Sequence, residues 1–193
     1  MILPTGTYRL ETREHDRLVA LETGTISTTH LSGARHAAAS ADNRYEAEAD
    51  LDESAQVQAL ALRYVRGPFE RSARYELGPE LMRGVLKVLA GHQAVEVKLG
   101  RFREVDGGLL IFKALLIAHA RARGQRRWTG RVAIIDPATL LAKSIKQTLY
   151  QTDAAGLEWV LEPALGEREV LRIDSRGWLL SHATQQGLHT AAL

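Results

Sequence analysis

Gly108 to Ala118 reads GLLIFKALLIA, the most apolar run of the 193-residue chain, with Lys113 its only charge. A helix needs roughly 20 apolar residues to cross a bilayer, so this run belongs inside a folded domain. Its periodicity points to a strand. Leu110, Phe112, Ala114, Leu116, Ala118, Ala120 and Ala122 are all apolar, while the alternate series passes from Leu109, Ile111 and Ile117 to His119, Arg121 and Arg123. On a helix, Lys113, His119, Arg121 and Arg123 would be scattered around most of the circumference. The alanines argue for a helix, because they are depleted in strands and are the best helix formers. Residues 109–123 therefore stay open between the two, with a central strand favoured. Its even face would point inward, and its polar end would emerge at a rim.

Outward from this run, most of the chain reads as strands. Thr7 to Arg13, Arg17 to Glu22 and Thr25 to Leu31 are expected as three strands, punctuated by Gly24 and Gly33. The small polar residues from Ala37 to Asn43 read as a loop. From Arg44 to Leu51, Tyr45, Ala47, Ala49 and Leu51 oppose Arg44, Glu46, Glu48 and Asp50, the signature of a strand with one wet face. Val57 to Val65 and Phe69 to Leu77 follow, joined at Gly67 and Pro68, so the three form an antiparallel meander. Residues 81–89 are ambiguous between strand and helix, and Gln93 to Leu99 alternates cleanly. Val132 to Ile135 is a further strand.

The period then changes. Asp136 suits an N-cap and Pro137 a first helical position, and Leu141, Ala142, Ile145 and Leu149 share one helical stripe, so a helix is expected there, with a strand carrying β-branched Ile145 and Thr148 as the alternative. Leu157 to Glu162, Glu169 to Asp174 and Trp178 to Thr184 close the fold as strands. The last two are joined by the tight turn Asp174, Ser175, Arg176, Gly177. Residues 185–193 lack periodicity and are expected to form a flexible tail. The fold class is mainly β: a curled antiparallel sheet, a β-roll or open barrel, of about eleven strands with one or two helices. No composition shift marks a linker, so residues 1–193 are expected as a single β-roll domain. A sheet this large must curl to avoid raw edges, and its interior is either packed or left open for a ligand.

The net charge of +2, from 25 basic against 23 acidic residues, does not imply wholesale nucleic-acid binding. Cysteine is absent, which removes disulfides, thiolate nucleophiles and iron–sulfur ligation. The seven histidines show no His-x-x-x-His or His-x-His spacing, so no local metal site is expected. There is no Gly-x-Ser-x-Gly elbow and no Walker loop, and no cofactor is called for. The absence of a basic and apolar leader makes the cytoplasm the expected compartment.

Arg121, Arg123, Arg126, Arg127 and Arg131, with Trp128 among them, form the one electrostatic feature. It serves either as a solubilising strand end or as a seat for an anionic head group. The strand and turn Arg172 to Leu180, preceded by Val105, Asp106, Gly107, Gly108 and Leu109, resemble the bacterial glycolipid-binding proteins over about residues 45–188. The resemblance implies a spiral β-roll shaped like the lipoprotein carriers, and an apolar or amphipathic ligand such as a glycolipid in the concave interior. It carries no binding residue across, and the family's Pro-Phe-Thr-Asn type segment is replaced here by the run around Phe112 and Lys113. From the sequence, the ligand-binding candidates are Phe112, Leu116, His119, Arg121, Arg123 and Trp128, with no catalytic residue assigned. Two alternatives stand beside this reading: a non-catalytic scaffold domain forming a homodimer, and an enzyme whose site is assembled from distant strands.

Overall fold

The computed structural model describes residues 3–88, 91–100, 103–164, 166–184 and 188–192. Eight strands form the first half: β1 (Gly6–Glu14), β2 (Arg17–Ile26), β3 (His30–Ala37), β4 (Ser40–Leu51), β5 (Val57–Arg66), β6 (Phe69–Leu77), β7 (Leu81–Val88) and β8 (Gly91–Lys98). The short β9 (Glu104–Asp106) leads into the helix α1 (Leu110–Ala122). The chain returns through β10 (Arg127–Ile135), β11 (Ala142–Gln151), β12 (Glu158–Pro163), β13 (Glu169–Ile173), β14 (Leu179–Thr184) and β15 (Leu188–Ala192).

All fifteen strands belong to one sheet, ordered β8-β7-β6-β5-β4-β3-β2-β1-β15-β14-β13-β12-β11-β10-β9. The end strands β8 and β9 do not pair with each other, so the curled sheet stays unclosed. Two antiparallel meanders are stitched together where β1 meets β15, with Thr12 opposite Thr190. The single parallel pair is β9 with β10. Parallel neighbours require a crossover, and α1 is that crossover, laid against the inner face of the sheet.

The segment left open between strand and helix, with a strand favoured, is therefore the only helix among the described residues. Ten of its thirteen residues are buried, and they lie on every side of it. A helix enclosed all round has no polar face, so hydrophobic periodicity carries no helical signal and the alternation is incidental. Its alanines and its end carry the information instead. Gly124, at φ 65°, is the left-handed residue just past the C-cap, Gly124 N–H bonds the Arg121 carbonyl, and Gln125 N–H bonds the Ala120 carbonyl. That pair of bonds is a Schellman stop. Leu109, Ile111, Phe112 and Ile117 are essentially inaccessible and pack against Leu60, Tyr75, Val132 and Leu171 of the surrounding strands, so α1 fills the interior.

Other expectations change too, beginning with the strand count, which is fifteen among the described residues and not about eleven. The helix expected after Asp136 is the strand β11, antiparallel to β10. Asp136 does cap a turn, its Oδ1 accepting from Ala138 N–H at 2.8 Å and Thr139 N–H at 3.0 Å. Leu140 then takes a left-handed conformation, φ 60°, and turns the chain back before a helix can propagate. The expected strand at Thr25 to Leu31 straddles the β2–β3 turn, where Ser27 Oγ accepts from His30 N–H. The Ala37 to Asn43 loop is the tip of the β3–β4 hairpin. The segment expected as a flexible tail contains β15, whose partners β1 and β14 supply the order its own sequence lacks; residues 185–187 and 193 lie outside the described residues. The ambiguous segment at 81–89 is strand β7 as far as Val88; residue 89 lies outside the described residues. The Asp174 turn forms as expected, with Gly177 at φ 95° and its N–H bonded to the Asp174 carbonyl at 3.0 Å.

Candidate functional site

Because α1 fills the roll, polar groups gather at its two ends. At the N-terminal end, Leu109 offers no capping side chain. Glu22, reaching in from β2, accepts instead from Leu110 N–H at 3.1 Å and Ile111 N–H at 3.3 Å. Burial pushes the Glu22 carboxyl up to about 7, against the pull of the helix amides and of Arg35. Tyr8, beside it, is raised well beyond the ordinary phenol range, by burial first and then by the Glu22 charge. Asp106 at the end of β9 steers the chain into the helix, its Oδ1 accepting from Gly108 N–H at 3.0 Å.

One turn along α1, the lone charge of the apolar run finds its partners. Lys113 Nζ lies 3.0 Å from Asp106 Oδ2 and 3.0 Å from Glu169 on β13. Glu169 Oε2 is also 2.7 Å from His182 Nε2 on β14. Burial on its own would lower Lys113, but the two carboxylates outweigh it and hold the amine well above its ordinary value. Burial would likewise raise Glu169, yet the Lys113 charge and His182 hold it at about 2. Both members of the ion pair stay charged across the physiological range, which makes them a fixed electrostatic clamp.

The clamp borders a cavity of about 270 Å³ at the mouth of the roll. Arg35, Asp106, Lys113, Glu169 and His182 supply its charged and titratable lining, while Ile134, Ile135 and Pro137 supply apolar wall. Thr12 and Thr190, hydrogen-bonded to each other at 2.9 Å, form another part. Thr184 also lines it, and its buried hydroxyl has no hydrogen-bond partner among the described residues. Such an orphaned hydroxyl can accept a bond from, or donate one to, an incoming group.

At the other end of α1, Glu104 of β9 is buried and takes His119 Nδ1 at 2.6 Å together with the Arg123 guanidinium. His119 Nε2 donates to the Ala55 carbonyl at 3.0 Å. With both ring nitrogens engaged, His119 is a strut between α1, β9 and the β4–β5 loop.

The six candidates taken from the sequence are thus not brought to one cavity. Phe112 and Leu116 are core, because the interior they were expected to line is occupied by the helix that carries them. His119 and Arg123 converge on Glu104, Trp128 is buried against Gly130, and Arg121 stands exposed on another side of the helix. Sequence reasoning missed Asp106, Glu169, His182 and Thr184. One signal for the cluster was visible: a single lysine within an apolar run must find a counter-charge once buried. A larger hollow of about 470 Å³ lies on the outer face of β4–β8, where Arg63 already pairs with Glu46 in the lining and with Glu70 beyond it. No group of three or more metal-ligating side chains occurs among the described residues, and no helix there is long and apolar enough to cross a membrane.

Fold and site together define a β-barrel-like protein: one unclosed, curled sheet with a helix inside it and a polar cavity at the helix N-terminus. No protein-family model and no curated protein matches the chain. Solved structures share its fold, among them the following two. A DUF1089 family protein from Pseudomonas aeruginosa superposes with a TM-score of 0.59 at 17% identity, over 83% of this chain and 87% of that one. A β-barrel-like protein of the domain of unknown function DUF1849 from Brucella abortus gives 0.61 at 9% identity, over 100% and 96%. Identities this low establish common architecture and nothing about ligand.

Proposed function

We propose that the protein binds the hydroxylated head of an amphipathic small molecule, a glycolipid in the simplest case, in the cavity beside the α1 N-terminus. The carrying observation is the charge balance of that cavity. Arg35 and Lys113 are offset by Asp106 and Glu169, so the lining offers both donors and acceptors and these four charges cancel. A phosphate or carboxylate would have to approach two carboxylates, whereas a neutral polyol can donate to them and accept from the cations and from Thr184. The volume, just under the roughly 300–1,000 Å³ of sites for drug-sized ligands, suits a head group rather than a whole lipid. The apolar tail would lie outside, since α1 occupies the interior. The ion clamp supports binding over catalysis: Lys113 is held too basic to act as a neutral amine, and Glu169 too acidic to act as a general base.

Calorimetric titration with octyl glucoside and octyl phosphate tests this reading. The glucoside should bind and the phosphate should not, and Thr184→Val should weaken the glucoside about three- to tenfold, the worth of one hydrogen bond. Preference for the phosphate, or no heat with either, would refute it.

A further inference from the structure

A second hollow, of about 440 Å³, opens between α1 and the β13–β14 turn, and its chemistry is opposite to that of the head-group cavity. Along one side run Ala114, Ala118 and Ala122, four residues apart and so on one face of the helix. Their small side chains leave the space that larger residues would fill. Ile173, at the end of β13, completes the apolar side. From Ala114 to Ala122 this side is about 12 Å long, at 1.5 Å per residue.

The other side is cationic. Arg121, Ser175 and Arg176 line it, and no carboxylate among the described residues does. Among the described residues Arg121 has no ion-pair partner, and its Nη1 lies 3.8 Å from where a Cβ on Gly177 would stand, over the turn itself. Arg176 is held by Asp174 at 3.2 Å, outside the lining. Counting Asp174, the groove keeps one uncompensated positive charge, that of Arg121. Arg121 is also a member of the arginine cluster that the sequence singles out, and here it stands next to the apolar alanine face, of which Ala122 is exposed and Ala114 and Ala118 are buried, instead of in a field of charges.

We infer that this groove binds a single-chain anionic amphiphile, a long-chain carboxylate, with its chain along the alanine face and its head on Arg121. A carboxylate matches the planar guanidinium in a two-pronged bond. An apolar chain along this face takes its own surface and that of exposed Ala122 out of water, which a purely ionic ligand would not do. The site stands apart from the head-group cavity, and neither reading depends on the other.

Titration of the full chain with sodium laurate, against dodecyl maltoside as a neutral amphiphile with the same twelve-carbon chain, both below their micellar concentrations, tests the inference. Arg121→Glu and Ala122→Trp alter exposed positions, so both variants should keep the parent's circular dichroism and melting temperature. Laurate should bind the parent, and each substitution should weaken it about tenfold or more, one by reversing the charge and the other by filling the groove. Dodecyl maltoside should bind this groove at least tenfold more weakly than laurate, and octyl glucoside should not displace laurate. Equal affinity of laurate for parent and Arg121→Glu would overturn the proposal. So would displacement of laurate by dodecyl maltoside at equal concentration, or no laurate binding, and none of these results bears on octyl glucoside in the other cavity.

Discussion

Glu22→Gln isolates the one buried carboxyl that holds the first turn of α1. In the unfolded chain this group titrates near 4.5, and in the fold burial raises it to about 7. Between those two values the folded state keeps a proton that the unfolded state has released, so stability falls as pH rises. The loss is about 1.4 kcal/mol per pH unit, or about 3 kcal/mol across the window, and it levels off above pH 7. Glutamine keeps a carbonyl oxygen for the amides of Leu110 and Ile111 but cannot ionise. Its amide group must find an acceptor near Tyr8, so the variant has some constant cost or gain of its own. That constant cancels when the parent–variant difference at pH 4 is subtracted from the difference at pH 8. Urea unfolding followed by circular dichroism at half-unit steps should show the variant gaining about 3 kcal/mol on the parent between pH 4 and pH 8. Parallel stability curves would refute the reasoning and mean that Glu22 is solvated or that the helix does not meet it.

Gly124→Ala should cost about 1–2 kcal/mol, because a Cβ there meets nothing within 4 Å and the whole penalty is the left-handed backbone at φ 65°; a strand at 110–122 would show no such cost in urea unfolding. Lys113→Met should destabilise by about 3–5 kcal/mol at pH 7 by leaving Asp106 and Glu169 buried without a cation. Glu169, depressed from 4.5 to about 2, supports the fold above pH 4.5 and loses that support as pH falls toward 2. The Lys113→Met deficit should therefore shrink in acid, which a pH series of melting temperatures would reveal. Phe112→Ala should cost about 3–5 kcal/mol as a core truncation and leave octyl glucoside affinity unchanged where the variant is folded, since Phe112 touches no ligand cavity.

Much of the sheet was legible because one-sided strands write their burial into the sequence. Tyr45, Ala47, Ala49 and Leu51 are buried, and each is flanked by residues that reach solvent, as the alternation implies. The Asp174–Gly177 turn was legible for a similarly local reason, since its closing glycine needs positive φ. The helix was not, because a plug enclosed on all sides erases its own periodicity and leaves alanine content and Gly124 as the surviving evidence. The stretch after Asp136 misled in the opposite sense: a cap forms there, but Leu140 reverses the chain, and pairing with β10 outweighs the local helical stripe in β11. β15 shows the same dominance of partners over pattern. The polar cavity was the least legible feature. Asp106, Lys113, Glu169, His182 and Thr184 come from β9, α1, β13 and β14, and only the curl of the sheet around the helix brings them together. The exposed arginines and aromatics that drew attention in the sequence are distributed among struts, core and a separate groove.

The most direct test of the central claim is where octyl glucoside sits. Amide and methyl chemical shifts of isotope-labelled protein, followed through a titration, should move together at Thr12, Gly108, Ile134, Thr184 and Thr190, around the mouth of the roll. Saturable shifts confined to the outer face of β4–β8, or no shifts at the mouth while the ligand binds, would contradict it.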